Sequence, residues 1–343
     1  MRIKTMMLAA GALHLSLTAV AGGARADEKT LYEAAKGERA ITWYISHYSS
    51  ELAHDVGSAF TSKYPGVEVN VVRTTAQVAY QRLSQDTNAG NANCDVFSST
   101  DIGHYVALKK KGLLARYVPE NAARLSPEFR KHSAEGYYYP TSAGLVLITY
   151  NKNLVKEDVP RNWPDLLDPK WSDKIALGHP AFSAYVGTWV IQMRKLYGWD
   201  YFEKLERNQP LIGRSINDTA TMLNSGERVV AAGPSQTTLQ SAARGNPIGI
   251  AYPADGSLLM IGPSAIMKNA PHPNAARLFV EFLMSPDYSR LLVKSQGIPL
   301  RPDVESPPGL KPLSEIKVIR PTDEEIISGM PEVIEDWRDV FGN

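Results

Sequence analysis

Hydroxyl side chains recur in this chain wherever an apolar run ends. Ser46, His47, Tyr48, Ser49 and Ser50 close the run ITWYIS, and Ser98, Ser99, Thr100 and Asp101 close CDVF. Ser183 lies in a turn further on, and Ser235 and Thr237 follow ERVVAAG. Each cluster leads into a helical pattern, and a helix start exposes unpaired N–H groups and the positive end of its dipole. Hydroxyls placed there suit an anion or a polar solute. They are also the ordinary caps of any helix, so the argument rests on their matching positions at the ends of the first and third strands. The G-x-S-x-G elbow, the phosphate-cradling G-x-x-x-x-G-K-[ST] loop, H-E-x-x-H and paired C-x-x-C are all absent. A serine, histidine and acid assembled in space, with His47 or His104 as the base, stays open, because such a triad is defined by geometry.

Tyrosine is the second signal. Tyr44, Tyr48, Tyr105, Tyr137, Tyr138, Tyr139, Tyr150, Tyr185 and Tyr252 fall in or near the strands and turns that would line a cleft. Phenolates are hard oxygen ligands for ferric iron, and the same rings pack well at an interface with one end wet. Strand alternation turns Tyr138 away from its two neighbours, so those three do not converge. Arg214, in the turn GRS, is a candidate anion clamp with a plain surface role as its alternative. Asp255, before Gly256, either receives an ammonium group or a metal or caps its own turn.

The elements that must position these groups fall into two α/β units. The apolar run over 145–148, fed by the polar turn of Pro140, Thr141, Ser142 and Gly144, belongs to a buried strand bounded by Gly144 and Asn151 that crosses between them. Before it come a helix over 28–37, a strand over 41–46, a helix over 51–64, a strand over 67–72, a helix over 77–88, a strand over 94–97 and a helix from 102. After it, strands over 175–177, 227–233 and 248–253 alternate with helices over 181–197, 201–206 and 218–224 and one ending at Arg244. Residues 256–267 return the chain to the first unit, where helices over 274–284 and 288–295 cover the sheet. A proline-rich tail runs as an extended strap to a last helix over 331–341. This rhythm predicts an α/β fold with mainly parallel sheets, helices on both faces, and ligand bound in a cleft beyond the carboxyl ends of the strands. One lobe comprises 27–140 plus 256–303 and the other 141–255 plus 304–343.

A chain of 343 residues with 43% hydrophobic content supports two domains with sizeable cores. Residues 1–26 read as a cleavable export signal: Arg2 and Lys4 precede an apolar run over 6–20, and Ala24-Arg25-Ala26 supplies small residues for cleavage. That run is too short to span a bilayer. Cleavage would remove three of the 37 basic residues and none of the 36 acidic ones, leaving a net charge of −2. No nucleic-acid or membrane-surface footprint follows from that balance, and Lys109, Lys110 and Lys111 sit where a helix end favours cations. Cys94 is the sole cysteine, so an intramolecular disulfide is excluded, and its place at the head of CDVF reads as a small buried residue.

The export signal, ITWYIS with its serines, AFTSKYPGVEV, CDVFSSTD, GLVLITYN, NWPDLLDPKWSDKI and NAPHPNAARLFVEFLMSPDYSRLL with GIPLRPDV together resemble the family 1 extracellular solute-binding proteins of ABC importers, in particular their iron(III)-type branch. The resemblance implies a two-lobed periplasmic binding protein of type II, monomeric and free in the periplasm, that closes on a small solute and hands it to an inner-membrane permease. It implies no enzyme activity, no cofactor and no resident metal. Ferric members carry an adjacent tyrosine pair where this chain has Gly233, Pro234, Ser235 and Gln236. That departure favours a polar organic or phosphorylated anion, with ferric iron second, a secreted hydrolase as the reading of another class, and presentation of the solute to a membrane sensor as a variant of the same role. The expected ligand contacts are Ser46, His47, Ser99, Thr100, Ser142, Ser183, Arg214, Ser235, Tyr252 and Asp255.

Overall fold

The computed structural model describes residues 28–134 and 136–342, so the export signal expected over 1–26 lies outside the described residues. The first unit runs α1 (Glu28–Glu38), β1 (Ala40–Ile45), α2 (Ser50–Lys63), β2 (Glu68–Arg73), α3 (Ala76–Asn88), β3 (Val96–Ser98) and α4 (Ile102–Lys110). Local chemistry accounts for these boundaries. Ser49 Oγ accepts from Leu52 N at the start of α2, and Asp101 accepts from Gly103 N at the start of α4. Gly66, at φ 90°, turns the chain from α2 into β2. β1 pairs in parallel with β2 on one side and β3 on the other, so the chain ends of all three strands point the same way.

A short α5 (Pro127–Arg130) precedes β4 (Tyr139–Asn151), which ends at the expected Asn151 but begins well before the expected boundary at Gly144. The expected polar turn at Pro140, Thr141, Ser142 and Gly144 is strand instead. Its polar groups are satisfied inside the sheet rather than by water: Thr141 Oγ1 lies 2.6 Å from Ser264 Oγ, and the Thr141 carbonyl accepts from Tyr288 OH at 2.6 Å. Pro140 brings no N–H, and the register shifts between it and Ser142.

The second unit contains β5 (Ile175–Leu177), α6 (Ala184–Tyr197), α7 (Asp200–Glu206), β6 (Leu211–Ile212), α8 (Asp218–Ser225), β7 (Val230–Pro234), α9 (Ser235–Ala243) and β8 (Ile248–Ala251). The return strand β9 (Ser257–Ile266) leads to α10 (Pro273–Phe282), α11 (Pro286–Lys294), β10 (Val318–Ile319) and α12 (Asp323–Phe341). The strand order is β2-β1-β3-β9-β4-β7-β5-β6, with β10 on β9 and β8 on β4. The two flanks are parallel, whereas β9 and β4 pair antiparallel with each other and with β3 and β7, so the sheet is mixed. Two long antiparallel strands therefore join two parallel flanks.

Alternation along β4 builds a core on each face: Leu145 and Leu147 pack with Trp43, Phe60 and Phe279, while Val146 and Ile148 pack with Trp163, Trp189 and Trp337. Cys94 is buried. Asp95 is fully buried and accepts from Thr42 N and His272 N, each at 2.7 Å, and from His272 Nδ1 at 2.9 Å, tying β1 and the start of α10 to β3. The last helix starts at Asp323 rather than at Pro331. Thr322 and Glu325 form a reciprocal capping box there, and Pro331 is carried inside the helix by burial of Met330, Val333 and Trp337. Gly187 of α6 lets Met330 pack against it, since a Cβ at that position would collide with the Met330 sulfur.

Candidate functional site

The carboxyl ends of both parallel flanks open on one cleft. The turn after β1 contributes Ser46 and His47, the end of β2 and the turn after it contribute Arg73 and Thr75, and the turn after β3 contributes Thr100. Across the cleft the turns after β5, β6 and β7 bring Phe182 and Ser183, Ser215 and Asn217, and Ser235 to Thr237. Gly144 and Leu145 of β4 line it between the two flanks. Five helices begin here: Ser49, Thr75, Ser183, Asn217 and Pro234 are the N-caps of α2, α3, α6, α8 and α9. Their combined positive ends favour negative charge. Among the described lining residues there is one arginine and no aspartate or glutamate.

Of the residues expected from sequence, Ser46, His47, Thr100, Ser183 and Ser235 line the cleft. Ser235 Oγ also accepts from Leu145 N at 3.2 Å, which locks the start of α9 onto β4. Arg214 is exposed and is not among the lining residues, its guanidinium lying 4.7 Å from the centre of the Phe182 ring. The other four are not brought to the cleft. Ser99 is fully buried and Ser142 faces Gly262 within the sheet. Tyr252 OH accepts from Lys311 N at 2.8 Å, and Asp255 Oδ2 accepts from Trp163 N and Tyr197 OH. Both therefore hold backbone turns together. Among the tyrosines singled out, Tyr48 and Tyr185 line the cleft. Tyr48 OH is tied to Tyr288 OH at 2.8 Å, and burial pushes the Tyr185 phenol well above its ordinary range.

Sequence reasoning passed over Arg73, Thr75, Phe182, Ser215 and Asn217. Arg73 ends β2 as Ser46 follows β1, so the rule used for the first and third strands would have found it had the second been included. Its Nε donates to Tyr48 O at 2.6 Å, and burial lowers its pKa because no carboxylate offsets the charge. Thr75 caps α3 without using its side chain, and its hydroxyl is buried with no partner among the described residues. His47 is 7% exposed, and burial, partly countered by hydrogen bonds to the Ser99 and Pro263 carbonyls, lowers its pKa to about 4. Its Nε2–H faces the Ser99 carbonyl at 3.3 Å, which leaves Nδ1 a bare acceptor with no partner among the described residues.

A depressed histidine pKa makes a signed prediction. Between pH 6.5 and about 4 the unfolded chain binds a proton at His47 that the folded chain does not. The stabilisation is therefore fully present above pH 6.5 and is lost as pH falls toward 4. The expected outcome is that His47→Gln flattens the fall in unfolding free energy over this window; an unaltered pH profile contradicts the assignment.

The sequence profile of the bacterial extracellular solute-binding proteins matches residues 91–328. The chain belongs to this family. A Salmonella typhimurium periplasmic protein whose name proposes 2-aminoethylphosphonate binding is 27% identical over 279 residues, 76% of this chain and 80% of its own. The structure of the periplasmic binding protein AfuA from Actinobacillus pleuropneumoniae, with fructose-6-phosphate bound, superimposes with a TM-score of 0.80 at 22% identity, covering 88% of this chain and 98% of that one. Iron-bound HitA from Pseudomonas aeruginosa superimposes with a TM-score of 0.74 at 22% identity, covering 88% and 99%. The fold of this solute-binding protein is thus the two-lobed type II arrangement, and its relatives are periplasmic binding proteins rather than enzymes. No helix among the described residues is long and apolar enough to cross a membrane.

Two further features of this solute-binding protein bear on what the cleft does. Ser99 Oγ lies 2.9 Å from His104 Nδ1, and His104 Nε2 lies 3.5 Å from Asp101 Oδ2, which is the order of a hydrolytic triad. Yet Ser99 is fully buried, its Oγ accepts from Asp101 N, and His104 stacks on Tyr80 with ring centres 4.2 Å apart. The cluster closes a turn, away from any solute in the cleft.

At the mouth, Gln236 and Gln240 of α9 both donate to the Ser295 carbonyl after α11, at 3.1 and 2.9 Å. Arg244, the C-cap of α9, pairs with Glu51 of α2 at 2.7 Å, with both side chains largely exposed and hence weakly coupled. The glutamine bonds, worth about 1 kcal/mol each, hold the two flanks together across the mouth. Ligand-free protein carrying Gln236→Ala and Gln240→Ala is expected to show a larger radius of gyration in small-angle X-ray scattering. Identical scattering curves would remove the bridge from the closing motion.

Proposed function

We propose that this protein is the periplasmic substrate-binding component of an ABC importer, exported by residues 1–26, and that it captures a small organic or phosphorylated anion without chemical turnover. It works as a monomer whose two lobes, 27–140 plus 256–303 and 141–255 plus 304–343, close on the solute and present it to an inner-membrane permease. One observation carries this reading: five helix starts, Arg73 and a ring of hydroxyls face a cleft whose described lining residues include no carboxylate. Such a cleft stabilises negative charge, and lobe closure strengthens each charge-assisted bond by excluding water. The partly exposed Phe182 ring offers apolar surface to an organic remainder.

Ferric iron is the second reading, favoured by the likeness to iron-bound HitA. It would have to do without an adjacent phenolate pair, since Tyr48 OH is engaged by Tyr288 and Tyr185 stands alone. Thermal unfolding of ligand-stripped protein against sugar phosphates, phosphonates, carboxylates and ferric citrate tests both. A ligand at 100 times its dissociation constant stabilises by about 2.7 kcal/mol, an easily resolved shift. Stabilisation by an organic anion and not by iron supports the proposal. Stabilisation by iron alone, with a phenolate charge-transfer colour, overturns it.

A further inference from the structure

Resting on that reading, we infer that the part of the solute away from its anionic group is uncharged, and that the cleft selects against a solute carrying an ammonium group. A protein site holds a buried ammonium with a carboxylate, or over an aromatic face free to receive it. The described lining residues include no aspartate or glutamate. The Phe182 ring already receives the Arg214 guanidinium on one face at 4.7 Å, and that cation repels a second one brought to the other face. Tyr48 packs edge-on against Trp43 and His47, with ring centres 6.3 and 5.8 Å apart, and Tyr185 presents its hydroxyl beside Gly144.

What remains to receive a donor from the solute is neutral. His47 Nδ1 and Thr75 Oγ1 are buried polar atoms without partners among the described residues, on residues that line the cleft. His47 itself is 7% exposed and uncharged at neutral pH. A solute hydroxyl satisfies such an acceptor at little desolvation cost. An ammonium would meet it inside the field of Arg73 and five helix starts, where like charge is repelled and water no longer screens it. The cleft therefore matches a hydroxylated or apolar remainder, although the Salmonella typhimurium relative is named for a zwitterionic phosphonate.

Two matched pairs test this by isothermal titration calorimetry on the full mature chain. Ethylphosphonate is compared with 2-aminoethylphosphonate at a pH where both phosphonates are doubly ionised and the amine is protonated, and glucose 6-phosphate with glucosamine 6-phosphate where that amine is protonated. The expected result is that the ammonium member of whichever pair binds is weaker by about tenfold or more. Asn217→Asp, which supplies a carboxylate while remaining a competent cap for α8, is expected to narrow that gap. Equal or tighter binding of the ammonium member overturns the inference and leaves the anion-binding reading standing. Binding of iron alone removes both. Binding of a carboxylate anion with none of the four probes keeps the reading and overturns the inference for phosphorus oxyanions.

Discussion

Arg73→Ala is expected to weaken binding of the anionic solute by about 100-fold or more, the consequence of losing two charge-assisted hydrogen bonds worth about 1.5–3 kcal/mol each. The geometry explains why so much rests on one residue. Arg73 Nε is anchored on the Tyr48 carbonyl at 2.6 Å, which fixes the guanidinium plane while its two terminal nitrogens have no partner among the described residues. Burial already lowers its pKa, so the free protein holds a partly desolvated cation that an incoming anion relieves. Removing that cation should leave the melting temperature of ligand-free protein unchanged or slightly raised, which separates a binding defect from a folding defect. Arg73→Lys keeps the charge but loses the fork and the Nε bond, so its affinity should fall between the two. Calorimetry checks all three, and an alanine variant within twofold of the parent would remove Arg73 from the site.

The second large effect belongs to the fold. Asp95→Ala is expected to cost about 3–5 kcal/mol of unfolding free energy, because Thr42 N, His272 N and His272 Nδ1 all converge on one fully buried carboxylate. Two of these donors are backbone groups that cannot swing out to water. Asp95→Asn keeps an acceptor oxygen and should cost less. Urea unfolding measures the difference, and a loss below about 1 kcal/mol would show that water replaces the carboxylate. The position lies on the far side of β3 from the cleft-lining turn at Thr100, so anion affinity of the folded variant should be unaffected.

The sequence by itself determined the elements and the kind of chemistry available. The helices that follow Ser49 and Asp101 were legible because a cap bonds to a backbone N–H two or three residues away. The hydroxyls at Ser46, Thr100, Ser183 and Ser235 were legible because parallel strands place their carboxyl ends at one edge, and strand ends can be read locally. Where a longer-range partner decides the outcome, local pattern fell short. The residues from Pro140 to Gly144 look like a turn, and only their pairing with Gly262 and its neighbours on β9 makes them strand. Pro331 looks like a helix start, but packing of Met330, Val333 and Trp337 carries the helix through it from Thr322.

Tyr252 and Asp255 end a strand as Ser235 does, and what sets them apart is the tertiary neighbour each hydrogen-bonds, Lys311 for one and Trp163 with Tyr197 for the other. Arg73 sits in plain view at the end of β2, yet its importance depends on the order β2-β1-β3, which places it beside the Ser46 turn. The meeting of the β1–β3 ends with the β5–β7 ends depends on β4 and β9 running antiparallel through the centre of the sheet. Bonds spanning three or four residues leave a trace in local sequence, whereas pairings across a hundred residues are selected by the summed burial of whole strands. For that reason the tertiary structure alone decided which hydroxyls share a cleft and which cation faces them.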